Sequence, residues 1–163
     1  MLGLDSLHGK GLVNTSHPLL SYLTGGYLQR RFQLFSHIMI GVTDFARALS
    51  FYKPLFATLG VDFRFQEDER PWAGWQSSPS PRPFFIMGRP YNQQPHHPGN
   101  GQMIAFLAST RAQVHQIHAL AIQNGGTCEG QPGLRLEYHA NYYGANFRDL
   151  DGNKLCIACH DAE

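Results

Sequence analysis

The densest group of side chains that could do chemistry is the segment Tyr138-His139-Ala-Asn141-Tyr142-Tyr143. Tyrosine and histidine combine an apolar ring with a polar tip, which suits the recognition of a small molecule. His139 could also act as a general base, because an imidazole exchanges its proton near neutral pH. The alternative is a structural cluster of tyrosines that closes one end of the domain.

A second candidate, Cys156-Ile-Ala-Cys159-His160, matches the C-x-x-C-H pattern of haem c attachment. The segment has the apolar character of a strand, in which residues three apart point to opposite faces. This geometry argues against both haem attachment and a redox pair of cysteines. The three cysteines of the chain instead indicate reduced thiols and a cytoplasmic location.

The composition argues against several classes of partner. The chain has 163 residues and a formal net charge of +1, so it lacks the basic surface expected of a nucleic-acid-binding or membrane-surface protein. No apolar run approaches the roughly 20 residues of a membrane span. Its length fits one domain, or two small modules that share a core.

A repeat indicates which elements must position these side chains. Residues 37–60 and 103–126 each contain an apolar strand, a capping residue, an amphipathic helix and a final glycine. The pattern predicts an α+β fold of two repeated βαβββ modules, whose curled mixed sheet surrounds a shared cavity while one helix covers each module. We therefore divide the chain into an N-terminal extension (1–33) and a domain (34–163), with modules at about 35–88 and 102–160 and a linker at 89–101.

Local signals place the individual elements. The first helix starts after a cap at Thr43 or Asp44, and Pro54 should kink or shorten it. The second helix, 111–123, follows a cap at Ser109 or Thr110. Strands are predicted at 37–42, 61–67, 72–77, 83–88, 102–108, 142–148 and 154–159, and an irregular or short-stranded stretch extends to about 141.

Alternation along the strands predicts which side chains face the cavity. His37 faces it because Ile38 and Ile40 belong against the helix, and the repeat places Met103 likewise. Matching the ends of the two modules puts Phe85 opposite Cys156. In strand 142–148 the cavity face is assigned to Tyr142, Asn146 and Arg148, and of the two tryptophans Trp75 is favoured over Trp72.

Two motifs carry a resemblance to a known superfamily. One is His37-Ile-Met-Ile-Gly-Val-Thr-Asp44 leading to Phe51-Tyr52, and the other is Phe147-Arg-Asp-Leu-Asp-Gly-Asn153. Over about 35–160 the chain resembles the vicinal oxygen chelate proteins, which include glyoxalase I, bleomycin-resistance proteins and extradiol dioxygenases. Segment 125–143 is similar to a bacterial glyoxalase-related subgroup. The resemblance implies a homodimer and fixes the fold better than the reaction.

The resemblance also implies where metal-using members place their ligands. The corresponding positions here are His37, Phe85, Met103 and Cys156. Only His37 is a usual ligand for a divalent metal, Phe85 cannot ligate, and a thioether suits copper(I) better. The sequence therefore predicts a degenerate metal site, with no assured cofactor, and leaves Zn, Ni, Mn or Fe as alternatives.

Three functional hypotheses remain open. The leading one is a glyoxalase-like protein that binds a small molecule between its modules, and the predicted binding residues are His37, Trp75, Phe85, Met103, Tyr138, Tyr142, Tyr143, Asn146, Arg148 and Cys156. The second is a metal-dependent lyase or isomerase, similar to lactoylglutathione lyase, in which His37 is joined by ligands from a partner chain or from the loop around His139. The third is a non-enzymatic interaction protein that uses residues 1–33.

Overall fold

Two modules with the same order of elements make up the structure, a computed structural model that describes residues 34–76 and 81–163. The first module comprises β1 (His37–Gly41), α1 (Phe45–Leu59), β2 (Asp62–Glu67), β3 (Trp72–Gln76) and β4 (Phe84–Gly88). The second comprises β5 (Ile104–Leu107), α2 (Arg111–Gln123), β6 (Thr127–Leu134), β7 (Tyr143–Arg148) and β8 (Lys154–Cys159). The predicted α+β fold of two βαβββ modules is confirmed, and the extension 1–33 lies outside the described residues.

Each module forms one four-stranded mixed sheet. The strand orders are β1-β4-β3-β2 and β5-β8-β7-β6. The first strand of each module runs parallel to its last strand, and the other neighbours are antiparallel. The strand β6 lies in the stretch that was predicted to be irregular or short-stranded, and its bounds were not predicted because its glycines and proline weaken the strand signal. Its pairing with β7 is interrupted by two irregularities.

The helices begin at the predicted caps. The side chain of Asp44 accepts the backbone N–H of Arg47, and that of Thr110 accepts the backbone N–H of Gln113. The prediction that Pro54 shortens the first helix is wrong, since α1 continues to Leu59. Within the described residues, no helix is long and apolar enough to cross a membrane.

One hydrophobic core lies between the two helices and the sheet faces that they cover. The ring of Phe51 in α1 contacts Phe147 in β7, and that of Phe56 contacts Phe106 in β5. These contacts join the modules on the helix side of both sheets. The opposite face of each sheet, which we call its open face, is therefore left to bind something else.

The turn between β7 and β8 ties the second module to the first. The buried carboxylate of Asp149 accepts the Tyr52 hydroxyl at 2.6 Å as well as the backbone and side-chain N–H groups of Asn153. The Asn153 amide also donates to the carbonyl oxygen of Gly41 in β1. Burial and the Asp149 charge raise the pKa of Tyr52 well above its usual value. The Phe147–Asn153 motif thus has a structural role.

Candidate functional site

The four side chains that were expected to meet do not share one cavity. Phe85 points into the core, where its ring contacts Tyr52 and Phe56, and the prediction that it faces the cavity is wrong. The strand registers pair Ile38 with Phe85 and Ile104 with Leu155, so the position equivalent to Cys156 is Ile86. Matching the module ends shifted the register by one residue, which reverses the face.

Two other predicted residues also lie on the helix side. Trp75 is 1% exposed and packs against Phe56, whereas Trp72 lies on the open face. The predicted choice between the tryptophans is therefore reversed. The hydroxyl of Tyr143 lies 2.7 Å from the His115 imidazole of α2, as expected for a residue that shares a face with Phe147.

The open face of the second sheet forms a cleft of about 670 Å³, which we call the Tyr142 cleft. This volume is within the usual range for small-molecule sites. Six of the residues predicted from the sequence line it, namely Met103, Tyr138, Tyr142, Asn146, Arg148 and Cys156. His37 is exposed beside Ser36 and does not line this cleft. The binding role of the six remains a prediction, but the fold brings them together.

Glycines of the second module occupy positions at which the first module has aromatic side chains. The equivalent registers of the two sheets match Trp72 with Gly144 and Phe65 with Gly130. In the first module the rings of Phe65 and Trp72 lie 5.1 Å apart and cover the open face. In the second module the Tyr142 ring lies against Gly144 and the Arg135 guanidinium lies against Gly130, so both side chains come from the segment between β6 and β7.

A hairpin loop supplies the rim of the cleft. The backbone N–H of Arg135 donates to the Tyr142 carbonyl oxygen at 2.8 Å, which closes the loop between β6 and β7. The rings of Tyr138 and Tyr142 lie 4.8 Å apart at an angle of 51°. The loop therefore presents two aromatic surfaces with hydroxyl groups beside the floor of the cleft.

Charged side chains also line the cleft, and most of them were not predicted from the sequence. Arg148 and Lys154 both pair with the carboxylate of Glu129, with the Lys154 ammonium at 3.2 Å. Hydrogen bonds from Arg148 and then Lys154 lower the pKa of Glu129. Arg135 and Glu137 also line the cleft. No periodic signal in the sequence marked Arg135, because it follows β6, for which the sequence predicted only an irregular or short-stranded stretch.

The cysteine of the cleft is a protonated thiol at neutral pH. Burial raises the pKa of Cys156, although the hydrogen bond from Tyr142 opposes this shift. The Tyr142 oxygen lies 3.6 Å from the Cys156 sulfur. Burial, followed by this hydrogen bond, raises the pKa of Tyr142 to about 12. Because the thiolate is the nucleophilic form, the pair is suited to hydrogen bonding rather than covalent catalysis.

His139 lies behind the cleft. Its Nδ1 accepts the backbone N–H of Asn141 at 3.2 Å, so the proton of the neutral ring is on Nε2. That nitrogen can then donate to His160 Nδ1, 2.8 Å away. The ring of His139 meets the edge of Tyr142 and does not line the Tyr142 cleft. Its role as a general base stays a prediction.

A second cleft of about 880 Å³ lies between β1, the start of β5 and the linker, and we call it the linker cleft. Met39, Tyr91 and His96 are among its lining residues. His96 lies so close to Gly41 that a Cβ at that glycine would be 2.4 Å from its Nδ1. The linker is thus held against the open face of β1, and Met103 lines both clefts.

The residues at the metal-ligand positions implied by the resemblance do not fit a divalent metal. With the corrected register these positions hold His37, Ile86, Met103 and Cys156. An isoleucine cannot ligate and the thioether is a soft donor, so His37 and Cys156 are the remaining ligands, fewer than a divalent metal site requires. Across residues 34–76 and 81–163, no group of three or more His, Cys, Asp or Glu side chains could hold a metal ion.

Comparison with known proteins gives a consistent picture. Residues 34–157 match the model of the Glyoxalase/Bleomycin resistance protein/Dioxygenase superfamily. A glyoxalase/bleomycin resistance protein from Albidiferax ferrireducens T118 is 37% identical, with 78% of this chain and 99% of that chain covered and a TM-score of 0.70. No curated protein matches the chain.

Two more distant solved structures share the fold. A fosfomycin resistance protein from Listeria monocytogenes is 13% identical, with 78% of this chain and 93% of that chain covered and a TM-score of 0.55. Lactoylglutathione lyase from Agrobacterium tumefaciens is 17% identical, with coverages of 77% and 92% and a TM-score of 0.53. At these identities the likeness concerns the fold alone.

Proposed function

Because the chain belongs to the Glyoxalase/Bleomycin resistance protein/Dioxygenase superfamily, we propose that it binds a small molecule in the Tyr142 cleft without the divalent metal of its metal-using relatives. The observation that carries this proposal is the cleft of about 670 Å³ on the open face of the second sheet, with Tyr138, Tyr142 and Asn146 on its lining. Aromatic rings and a few convergent polar groups are the usual composition of a ligand pocket.

The polar groups of the cleft support recognition of a planar ligand. The tyrosine rings offer stacking surfaces, and their hydroxyl groups can donate or accept hydrogen bonds. The side-chain oxygen of Asn146 is buried and makes no hydrogen bond with any described residue. An unsatisfied buried acceptor is costly, so a donor that reached this amide would stabilise the complex.

The metal-dependent lyase or isomerase is the weaker alternative. It requires about three imidazole or carboxylate ligands. His37 would need ligands from another chain, since Ile86, Met103 and Cys156 do not supply them. One equivalent of bound Ni, Zn, Mn or Fe, lost in a His37→Ala variant, would support this alternative over ours.

The assembly and location remain part of the proposal. The resemblance implies a homodimer, and Met39, Met103 and Leu107 leave apolar surface exposed at 47%, 46% and 72%. The molar mass in solution tests the dimer, and fractionation of cells tests the cytoplasmic location. An interaction role for 1–33 concerns residues outside the described ones, and its test is the mass of a variant that lacks them.

The binding proposal is tested by NMR titration of ¹⁵N-labelled protein with aromatic fragments such as phenol and phenylacetamide. We expect chemical-shift changes at Tyr142, Asn146 and Cys156, and loss of binding in Tyr142→Ala. The matched control is Tyr91→Ala, because Tyr91 is an exposed tyrosine that lines only the linker cleft. Shifts that cluster around the linker cleft, or binding lost only in Tyr91→Ala, would contradict the proposal.

A further inference from the structure

The guanidinium of Arg135 packs closely against two glycines of β6. A Cβ at Gly130 would lie 3.3 Å from the Nη2 of Arg135, and a Cβ at Gly133 would lie 3.1 Å from its Nη1. The two irregularities in the β6–β7 register occur between Cys128 and Gly130 and between Gly130 and Gly133. The strand thus bends away and carries no side chains where the guanidinium lies.

Carbonyl oxygens orient this guanidinium without neutralising it. Nη2 donates to the carbonyl oxygen of Gln131 at 2.8 Å, and Nη1 donates to that of Leu134 at 3.3 Å. These bonds use only part of the donor capacity of an arginine, which remains charged at any physiological pH. The guanidinium has no carboxylate partner among the described residues.

The charges on the lining favour binding of an anion in the cleft. Arg148 and Lys154 line the cleft and share the carboxylate of Glu129, which does not line it. The lining therefore carries three cationic side chains, including Arg135, and the single carboxylate of Glu137. Arg135 is half-buried, so its charge is less screened than that of a fully exposed arginine.

Resting on the proposed function, we infer that the Tyr142 cleft takes an aromatic ligand that carries an oxyanion, and that Arg135 binds this oxyanion. The backbone hydrogen bond from Arg135 to Tyr142 holds the main chains of the two residues side by side, and both side chains line the cleft. The fork of N–H donors matches the geometry of a carboxylate or a phosphate. These two sources share the same chemistry and are separated by the experiment.

The test compares three probes of similar shape, phenylacetate, phenyl phosphate and neutral phenylacetamide, by NMR titration of the full chain. We expect at least one anionic probe to bind about tenfold more tightly than the amide. Tighter binding of phenylacetate than of phenyl phosphate would indicate a carboxylate ligand, and the reverse order would indicate a phosphate ligand. Arg135→Gln should abolish the preference, whereas Arg135→Lys should retain part of it.

Two further variants keep the result interpretable. Arg89→Gln removes an exposed arginine that does not line the cleft, and it should leave the preference unchanged. Gly133→Ala keeps the charge but crowds the guanidinium, since the new Cβ would lie 3.1 Å from Nη1, and it should weaken anion binding without changing binding of the amide. An unfolded Arg135→Gln variant would thus not decide the outcome, because Gly133→Ala tests the same position independently.

The possible outcomes separate this inference from the proposed function. Equal binding of all three probes, lost in Tyr142→Ala, would overturn the oxyanion inference and leave the proposed function in place. A preference that persists in both Arg135→Gln and Gly133→Ala would overturn the role of Arg135. Absence of any binding at the Tyr142 cleft would overturn the proposed function and this inference together.

Discussion

The two open faces of this molecule differ far more than the two helix-covered faces do. On the helix side, equivalent positions hold apolar residues in both modules, such as Trp75 and Phe147 or Phe85 and Leu155. On the open side of the first sheet, aromatic rings cover β2 and β3 and the linker lies over β1. On the open side of the second sheet lies the Tyr142 cleft. Residue types on the helix side are constrained by packing in the shared core, whereas residue types on the open faces differ between the modules.

Arginines show the same contrast. In the first module the guanidinium of Arg70 stacks on Trp72 at 3.9 Å from the ring centroid, and Arg82 lies 4.7 Å from the ring of Phe84. These cations cover a filled aromatic surface. In the second module the guanidinium of Arg135 donates to backbone carbonyl oxygens and lines the Tyr142 cleft. The comparison shows how a duplicated frame can give one packed face and one receptive face.

The largest effect is expected where the second module holds the first. Asp149→Ala would leave the Tyr52 hydroxyl and the Asn153 N–H groups without their acceptor. We expect the free energy of unfolding to fall by about 3–5 kcal/mol, as for other broken buried polar networks. Urea denaturation measures this loss. The exposed Asp161→Ala is the control, and a loss in Asp149→Ala no larger than the control would show that the turn does not join the modules.

The next largest loss of stability should come from a substitution that makes the open face of the first sheet resemble that of the second. Trp72→Gly introduces the residue type that the second module has at the equivalent position. Loss of the contacts with Phe65 and Arg70 should lower the free energy of unfolding by about 2–4 kcal/mol, since Trp72 is only half-buried. Trp72→Phe should cost clearly less in the same urea experiment. Equal losses would mean that the aromatic cover contributes little.

A smaller change should close the second face. A Cβ at Gly144 would lie 2.9 Å from Cε1 of Tyr142, so Gly144→Ala must displace that ring. We expect aromatic probes to bind about tenfold more weakly in NMR titrations, with a stability loss of about 1 kcal/mol.

The reciprocal variant distinguishes the two faces. Gly74→Ala would place a Cβ 2.2 Å from the Phe65 ring, and it should lower stability by about 1–3 kcal/mol without changing probe affinity. Loss of probe binding in Gly74→Ala would contradict the proposed division between a packed face and a receptive face.

The smallest expected effect appears at alkaline pH. The pKa of Tyr142 is raised from 10.0 to about 12 in the folded protein, so its contribution to stability is present below its unfolded pKa and is lost as the pH rises towards the folded value. Tyr142→Phe should therefore lose less stability than the wild type between about pH 9 and pH 11. Denaturation at both pH values measures the difference, and parallel curves would contradict it. Tyr52→Phe provides the comparison for a tyrosine that lies in the core.

The strand-helix repeat predicted most of the fold, because capping residues and apolar stripes act locally. The alternation of side chains along each strand also predicted which residues of β1, β5, β7 and β8 lie on the open faces, for example Met39 and Cys156. Phe85 was misplaced because pairing across a sheet depends on loop lengths that the repeat does not preserve. Arg135 was missed because its position depends on irregularities in β6, which leave no periodic pattern.

One backbone hydrogen bond closes the loop from Arg135 to Tyr142, and it joins the N–H of the first residue to the carbonyl oxygen of the last. Its intervening side chains are mostly exposed and contribute nothing to the central hydrophobic cluster. Apart from the contact of His139 with His160, the loop is held to the rest of the domain near its two ends, and exposed segments of this kind tolerate exchange. Grafting other hairpins between these endpoints would offer a route to new specificities on an unchanged framework.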